Sequence, residues 1–349
     1  MKTIKIGSYT LPSNIILAPM AGITDLPFRM ICRGHGAKFA FFEMIDCNSI
    51  IYGKKSENKI IKTIPNDRPI AAQLIGPDPD TMLQAAEKLI ETLDIKFLDI
   101  NAACPVPKMI KKRAGAYFLK EPENLYRILN LLSSKLDLPV TVKLRSGYHK
   151  NDHSHIKEIA KKCEANGASA IFIHGRTQDQ GYSGNVDIEA IKAVKHAVTV
   201  PVFGSGNIFS PELAKQMIDM TACDGVMVAR GAYGNPWIFK DIETYISSGK
   251  LPPKRKIEEK LETAKKHIGY IEKYRDMEAK SKVGYMRKVA QWYAKGHPYT
   301  NRIRRIMGDA KTKEQLMAIM ERTPEIIGTA GAFPLTERQE APQHYRGHP

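Results

Sequence analysis

Cysteine is scarce in this chain. There are five in 349 residues, Cys32, Cys47, Cys104, Cys163 and Cys223, and no two form a C-x-x-C pair. An odd, scattered set argues against a disulfide scaffold and against a metal site, and reducing cytosol is the expected compartment. Long apolar runs are lacking too. No segment approaches the roughly 18–20 residues a membrane span needs. Lys2 and Lys5 precede Ile15-Ile16-Leu17-Ala18, but Ser8-Tyr9-Thr10 and Ser13-Asn14 interrupt that stretch, which speaks against a signal peptide. No G-x-G-x-x-G, Walker A or H-E-x-x-H sequence occurs, so a Rossmann fold, a P-loop and a zincin are unsupported. Acidic residues are outnumbered, 37 against 53 Lys and Arg, for a formal charge of +16. Residues 1–249 hold 31 Lys and Arg against 25 acids, and residues 250–349 hold 22 against 12. The last hundred residues therefore carry most of the excess. A polyanion such as RNA, DNA or an anionic membrane is the partner such a charge suits; a solvated basic surface is the bland alternative.

What is present is a core and a repeating pattern. Hydrophobic residues make up 43% of the chain, enough for a large buried interior. Short apolar runs near 14–18, 38–43, 69–75, 95–100, 139–144, 169–174, 200–204 and 224–229 read as eight strands. Helical patterns fall between them, at about 25–34, 79–92, 122–136, 154–166, 187–197 and 210–220. Ser210-Pro211-Glu212 supplies an N-cap and a first-turn proline, and Asn166-Gly167 reads as a helix end. Eight strands alternating with helices predict an α/β fold, a (β/α)8 TIM barrel, with an open doubly wound sheet as the alternative. Leu251-Pro252-Pro253 reads as a linker. Beyond it, Ile257, Leu261, Ala264, Ile268 and Ile271 recur at helical spacing without strand signals. The expected organisation is a catalytic barrel over 1–249, a small all-α domain over 250–327 and a disordered tail over 328–349.

Candidate chemistry gathers just past the strand ends, the edge where parallel barrels keep their active sites. Cys104 follows strand four in Asn101-Ala102-Ala103-Cys104-Pro105, and a thiol there can act as acid or base if its surroundings tune it. A small buried core residue is what most lone cysteines are. Lys143 lies inside an apolar run, where a lysine is costly unless paired or used; from a barrel strand it could face the lumen and an anionic cofactor, or snorkel outward. His174-Gly175-Arg176-Thr177 ends strand six, joining a ring-bonding histidine to a phosphate-capable arginine. Gly204-Ser205-Gly206-Asn207 follows strand seven and Ala229-Arg230-Gly231 follows strand eight, where barrels commonly bind phosphate through backbone N–H groups. Pro19-Met20-Ala21 ends strand one and Gln73 lies on strand three; backbone and amide groups there could read a flat heterocycle. The loop after Cys104 is the longest in the barrel and holds Lys108, Lys111, Lys112 and Arg113.

In order, these pieces resemble the dihydrouridine synthase family. The matching stretches are Ala18-Pro19-Met20-Ala21-Gly22-Ile23-Thr24-Asp25, Gln73-Leu74-Ile75-Gly76, Asp99-Ile100-Asn101 with Cys104-Pro105, Val142-Lys143-Leu144-Arg145-Ser146-Gly147, His174-Gly175-Arg176-Thr177, and Ala229-Arg230-Gly231-Ala232 with Pro236-Trp237-Ile238-Phe239. Arg287-Lys288-Val289 with Trp292-Tyr293 is similar to a stretch of the bacterial members. The resemblance spans roughly residues 5–320. It implies a barrel holding FMN, recharged by NADPH, with a helical tRNA-binding domain behind it, and the reduction of a tRNA uridine to 5,6-dihydrouridine in the cytoplasm. Carried over motif by motif, Cys104 would protonate C5 of the uracil as general acid. Pro19, Met20, Ala21 and Gln73 would contact the isoalloxazine, and Lys143 and His174 would stabilise it. Ser205, Gly206, Asn207, Ala229 and Arg230 would bind the FMN phosphate. Asn101 and Arg176 would reach the substrate. Lys108, Lys111, Lys112, Arg113, Arg287, Lys288, Arg302, Arg304 and Arg305 would hold tRNA. The family usually has glycine where Ala103 precedes Cys104, commonly Asn-Gly-Asp where Ser205-Gly206-Asn207 stand, and frequently glycine at Ala229. The expected protein is a monomer with no metal and no membrane contact. The alternatives are a flavin barrel acting on a small molecule and a tRNA binder with a decayed active site.

Overall fold

The structure is a computed structural model that describes residues 3–53, 60–297 and 299–330. It begins with a two-strand antiparallel hairpin, β1 (Lys5–Ile6) and β2 (Tyr9–Thr10). Eight strands follow: β3 (Ile15–Leu17), β4 (Ala40–Asp46), β5 (Ile70–Ile75), β6 (Leu98–Asn101), β7 (Val140–Arg145), β8 (Ala168–His174), β9 (Val202–Ser205) and β10 (Gly225–Val228). Each pairs in parallel with its sequence neighbour, and β10 pairs with β3, so the sheet closes on itself. The expected (β/α)8 barrel is the fold of this chain.

Side chains alternate along each strand, in and out. The outward set, including Val140, Val142, Leu144, Ile171 and Ile173, packs in one core with the surrounding helices. The inward set fills the lumen. Phe39, Phe41, Phe97, Phe172 and Phe203 form its floor, with Phe39 and Phe97 stacked at 5.1 Å and 4°. Ile4, Ile6 and Leu11 beside the hairpin join the same cluster. The N-terminal end of the barrel is thus plugged with hydrocarbon, and chemistry is confined to the opposite mouth.

Around the barrel run α1 (Leu26–Arg33), α2 (Cys47–Tyr52), α3 (Pro79–Thr92), α4 (Pro107–Lys111), α5 (Glu123–Lys135), α6 (His153–Ala165), α7 (Ile188–Ala197), α8 (Pro211–Thr221) and α9 (Ile238–Ser248). Their starts are set by side-chain caps: Asp25, Asp78, Asp152, Asp187 and Ser210 each accept a backbone N–H of the first turn. Asn166 caps the end of α6, followed by Gly167 at φ +96°. The N-terminal hairpin, α2, α4 and α9 were not anticipated. The hairpin is only two residues per strand, and α2 is six residues long, too short for periodicity to register.

Four further helices follow: α10 (Ile257–Tyr274), α11 (Ala279–Tyr293), α12 (Thr300–Asp309) and α13 (Lys313–Ala330). They share a core of Leu261, Ile268, Ile271, Met286, Val289, Ile303, Met307, Leu316 and Met320, into which Trp237 projects from the barrel side. Arg275 bonds Asp25, Arg255 pairs with Asp241 at 2.8 Å, and Trp292 stacks on Tyr233 at 4.7 Å, tying the helices to the barrel. The helix α13 runs through Ala330, past the expected start of the tail at Gly328; the rest of that tail lies outside the described residues. Among the described residues no helix is long and apolar enough to cross a membrane.

Candidate active site

The mouth is built by the same alternation that fills the floor. Along β7, Thr141, Lys143 and Arg145 occupy successive inward positions; along β6 so do Asp99 and Asn101. The register sets Asp99 beside Thr141, Asn101 beside Lys143, Arg145 beside His174, and His174 beside Ser205. Gln73 on β5 stands beside Asp99. A polar layer therefore rests directly on the phenylalanine floor.

On the β4–β6 side the layer is a hydrogen-bonded chain. Thr141 Oγ1 donates to Asp99 Oδ1 at 2.7 Å, and Gln73 Nε2 donates to Asp99 Oδ2 at 2.6 Å. Asn101 Nδ2 donates to Gln73 Oε1 at 2.7 Å. Asn101 Oδ1 then accepts the backbone N–H of Ala103 at 3.0 Å and of Cys104 at 2.8 Å. Burial pushes Asp99 up to about 7, against the opposing bonds from Gln73 and Thr141. Cys104 sits above, 8% exposed, while the other four cysteines are at most 3% exposed. Burial raises the Cys104 thiol above its ordinary value despite nearby Arg145 and Lys143, so it stays protonated at neutral pH. Gly115 lies against it at φ +65°. A Cβ there would come within 2.8 Å of the Cys104 carbonyl, so the loop can close over the thiol only with glycine at 115.

On the β7–β10 side the layer is cationic. Lys143 is half-buried and lowered to about 8, first by burial and then by Arg145. Burial, followed by the charges of Lys143, Arg145, Arg176 and Arg230, holds His174 well below its ordinary value, so the ring is neutral. None of these four cations pairs with a carboxylate among the described residues. Arg230 lies between Tyr182 at 5.0 Å and Phe209 at 5.6 Å. Gly206 (φ +123°) and Asn207 (φ +53°) turn the chain after β9, and among the described residues no hydrogen bond takes the N–H of either. A Cβ on Gly206 would meet Val186 at 2.9 Å, and one on Gly231 would meet the Ile208 carbonyl at 1.9 Å. Cations without ion-pair partners, beside two N–H donors left open among the described residues in a glycine-shaped turn, make a site suited to an anion.

The predicted site residues fall into three groups. Gln73, Asn101, Cys104, Lys143, His174, Ser205, Gly206, Asn207, Ala229 and Arg230 meet at the mouth, with Pro19, Met20 and Ala21 in the turn after β3. Tyr233 donates to Met20 Sδ at 3.3 Å. A second group is charged and exposed: Lys108 and Lys111 on α4, Lys288 on α11, and Arg302, Arg304 and Arg305 on α12. The third makes contacts within the chain. Arg176 is 2% exposed and bonds the carbonyls of Ser183 and Gly184 and Asn207 Oδ1, bracing the β8 loop against the β9 turn. Arg287 donates to the carbonyls of Gly308 and Ala310 at the end of α12. Lys112 pairs with Asp46 at 2.7 Å, and Arg113 lies over the Tyr117 ring.

Sequence reasoning missed Asp99, Thr141, Arg145 and Gly115 as site residues. Arg145 is 2% exposed and ties the mouth together: Nε donates to the Ala103 carbonyl at 2.7 Å, and Nη1 to those of Thr177 and Gly181. A signal was present. In Thr141-x-Lys143-x-Arg145 and Asp99-x-Asn101 the polar residues recur every second position, which in a buried strand is one lumen-facing column.

The fold and mouth define a (β/α)8 barrel with a cationic mouth at the C-terminal ends of its strands. Two solved structures have the same fold: histamine dehydrogenase from Rhizobium sp. 4-9 (TM-score 0.54, 11% identity, 77% of this chain and 50% of that one) and the old yellow enzyme from Trypanosoma cruzi (TM-score 0.52, 13% identity, 73% and 93%). The family is settled by sequence. The model described as "Dihydrouridine synthase (Dus)" matches residues 16–327, and the chain belongs to that family. It is 34% identical over 293 residues to the tRNA-dihydrouridine synthase B of Pseudomonas aeruginosa, covering 84% of this chain and 87% of that protein. It is 36% identical over 317 residues to the protein of that name from Pasteurella multocida, covering 90% and 94%.

Proposed function

We propose that this chain is a tRNA-dihydrouridine synthase that reduces a uridine of tRNA, with Cys104 as proton donor. The observation that carries this reading is the protonated, 8% exposed Cys104 thiol set across the mouth from a cluster of cations that forms no ion pair among the described residues. The residues fit FMN. Lys143, the N–H groups of Gly206 and Asn207, and Arg230 suit the anionic parts of that molecule, and the Gly206 turn leaves room for no Cβ. When bound, FMN would supply hydride chemistry at C6 of the uracil, with NADPH as the reductant that recharges it.

The chain's own residues do the rest. Pro19, Met20, Ala21 and Gln73 face the isoalloxazine, and Lys143 and neutral His174 hold it. Ser205, Gly206, Asn207, Ala229 and Arg230 hold the phosphate, with Arg176 bracing the turn. Asn101 orients the uracil, and Cys104 Sγ gives its proton to C5. The raised pKa suits that task, because the thiol arrives loaded. The target base must leave its stack to enter. Lys108, Lys111, Lys288, Arg302, Arg304 and Arg305 present free charge to the tRNA backbone. The division into a barrel over 1–249 and a tRNA-binding unit over 250–327, a monomeric state and a cytoplasmic location complete the proposal.

The test is the visible spectrum of the purified protein together with NADPH oxidation in the presence of unmodified tRNA. Bound FMN and oxidation that requires tRNA, with free uridine inert, support the reading. A colourless protein that cannot take up FMN points to a decayed tRNA binder. Turnover on a small molecule without tRNA points to the other barrel reductase.

A further inference from the structure

The hydrogen-bonded chain under Cys104 has one direction, and that direction can be deduced. The N–H groups of Ala103 and Cys104 can only donate, so the Asn101 atom they meet at 3.0 and 2.8 Å is its carbonyl oxygen. The Asn101 amide nitrogen therefore faces Gln73, 2.7 Å away. It can only donate, so Gln73 turns its own oxygen toward it. That leaves the Gln73 nitrogen facing Asp99 at 2.6 Å, and Asp99 must accept. Thr141 completes the carboxylate at 2.7 Å. Asp99 and Thr141 are both 0% exposed, Gln73 is 1% and Asn101 5%. With all four side chains buried, removing the acceptor at the bottom leaves the amides above it without their partner.

We propose that Asp99 and Thr141 are positioning residues that, through Gln73 and Asn101, hold the backbone of Cys104 in its working seat. Neither reaches the mouth. Asp99 fixes which way the Gln73 amide points, and so which Gln73 atom is offered upward. Gln73 fixes Asn101, and Asn101 Oδ1 pins the two N–H groups that set the thiol's direction. This rests on Cys104 acting at the mouth as proposed above, but its test does not depend on that role.

Asp99→Leu removes the acceptor while keeping the branched shape and number of heavy atoms, whereas Asp99→Asn keeps an oxygen for Gln73, loses the charge and turns an N–H toward the Thr141 hydroxyl, which can accept it. Three quantities are read: turnover on tRNA; the rate at which iodoacetamide alkylates Cys104, mapped by peptide mass spectrometry; and the melting temperature. Cys32 and Cys163, each 0% exposed, serve as internal controls. In Asp99→Leu, kcat is expected to fall roughly 10–100-fold, the worth of one or two buried hydrogen bonds. KM for tRNA should hold, and Cys104 alkylation should shift about fivefold or more while Cys32 and Cys163 stay protected. Asp99→Asn should stay within about threefold of the parent in both. If Asp99→Leu does not fold, Thr141→Val is used, with the same signature at a few-fold amplitude. Parent-like kcat and alkylation in the Leu variant overturn the proposal, as does an Asn variant as impaired as the Leu variant. Alkylation rising equally at Cys32 and Cys163 also overturns it, because that marks general loosening. A fully active Cys104→Ala would instead remove the proton-donor role, and the alkylation rates would still judge the chain.

Discussion

Over β7–β10 the barrel mouth is made of cations, and over β4–β6 it is made of amides, a thioether and a thiol. Lys143, Arg145, Arg176 and Arg230 surround a histidine that burial and then their charge keep neutral. Across from them, Asn101 bonds Gln73 and approaches Met44 Sδ at 3.6 Å, and Cys104 stays protonated. The first arrangement repels itself until an anion arrives, since like charges a few ångströms apart in a buried site cost on the order of kcal/mol. The second attracts no ion and shelters a proton. Binding and proton delivery are thus separated within one ring of residues. Arg145 is the seam, holding the Cys104 loop through the Ala103 carbonyl and the β8 loop through Thr177 and Gly181.

The neutral half should show the largest effect. Cys104→Ala should lower turnover roughly 100–10,000-fold, the range of a lost general acid, while leaving flavin absorbance and tRNA affinity unchanged. Single-turnover assays on FMN-loaded protein measure it, and full activity would erase the contrast between the halves. The cationic half should fail in the opposite way. Arg230→Ala is expected to weaken FMN binding about 10–100-fold, the worth of a charge-assisted bond, as followed by recovery of free FMN fluorescence on dilution. Asn101→Ala should leave that affinity near the parent's; equal losses from both would show that the anion does not lie on the β7–β10 side.

Charge outside the mouth sharpens the contrast further. Arg302, Arg304 and Arg305 are exposed on α12 and pair with no acid among the described residues. Reversing Arg304 and Arg305 to Glu should reduce tRNA affinity about tenfold and flatten its dependence on log salt by about two, with FMN affinity unmoved. Filter binding across a salt series reads both. A salt slope equal to the parent's would remove α12 from the tRNA surface.

How much of this was legible beforehand differed between the same two halves. The eight strands were legible because apolar runs of four to seven residues repeat between capped helices. Most of the cationic half was legible because Lys143, His174, Arg176 and Arg230 stand at or near strand ends in recognisable short motifs; Arg145, in the same motif as Lys143, was passed over. The chain beneath Cys104 was not. Asp99 was read as part of a motif, yet what it does follows from Gln73 and Thr141 on adjacent strands, and only the barrel's register brings those together. Arg176 and Arg287 were expected at the substrate because an arginine's charge is visible in a sequence. The carbonyls that each bonds within the chain, those of Ser183 and Gly184 for Arg176 and those of Gly308 and Ala310 for Arg287, are not.

The smallest effect concerns two neutral histidines whose neutrality has different causes. His174 is held well below its ordinary value by burial and the four cations, whereas His267, fully buried between the barrel and the helices, is held down to about 3 by burial alone. In the unfolded chain both take a proton near 6.5. Both folded values are depressed, so the stability they contribute is complete above pH 6.5 and is lost as the pH falls below it, where the unfolded chain binds protons the folded one refuses. An anion seated among the cations would offset their charge and let His174 accept its proton; nothing comparable reaches His267. Sulfate at constant ionic strength should therefore reduce the loss of melting temperature between pH 7 and 5.5 by a few degrees. That benefit should persist in His267→Gln and vanish in His174→Asn, as thermal melts of the FMN-free protein would read. Equal protection of both variants would mean that sulfate acts elsewhere, and that the cluster over β7–β10 is not where this barrel holds its anion.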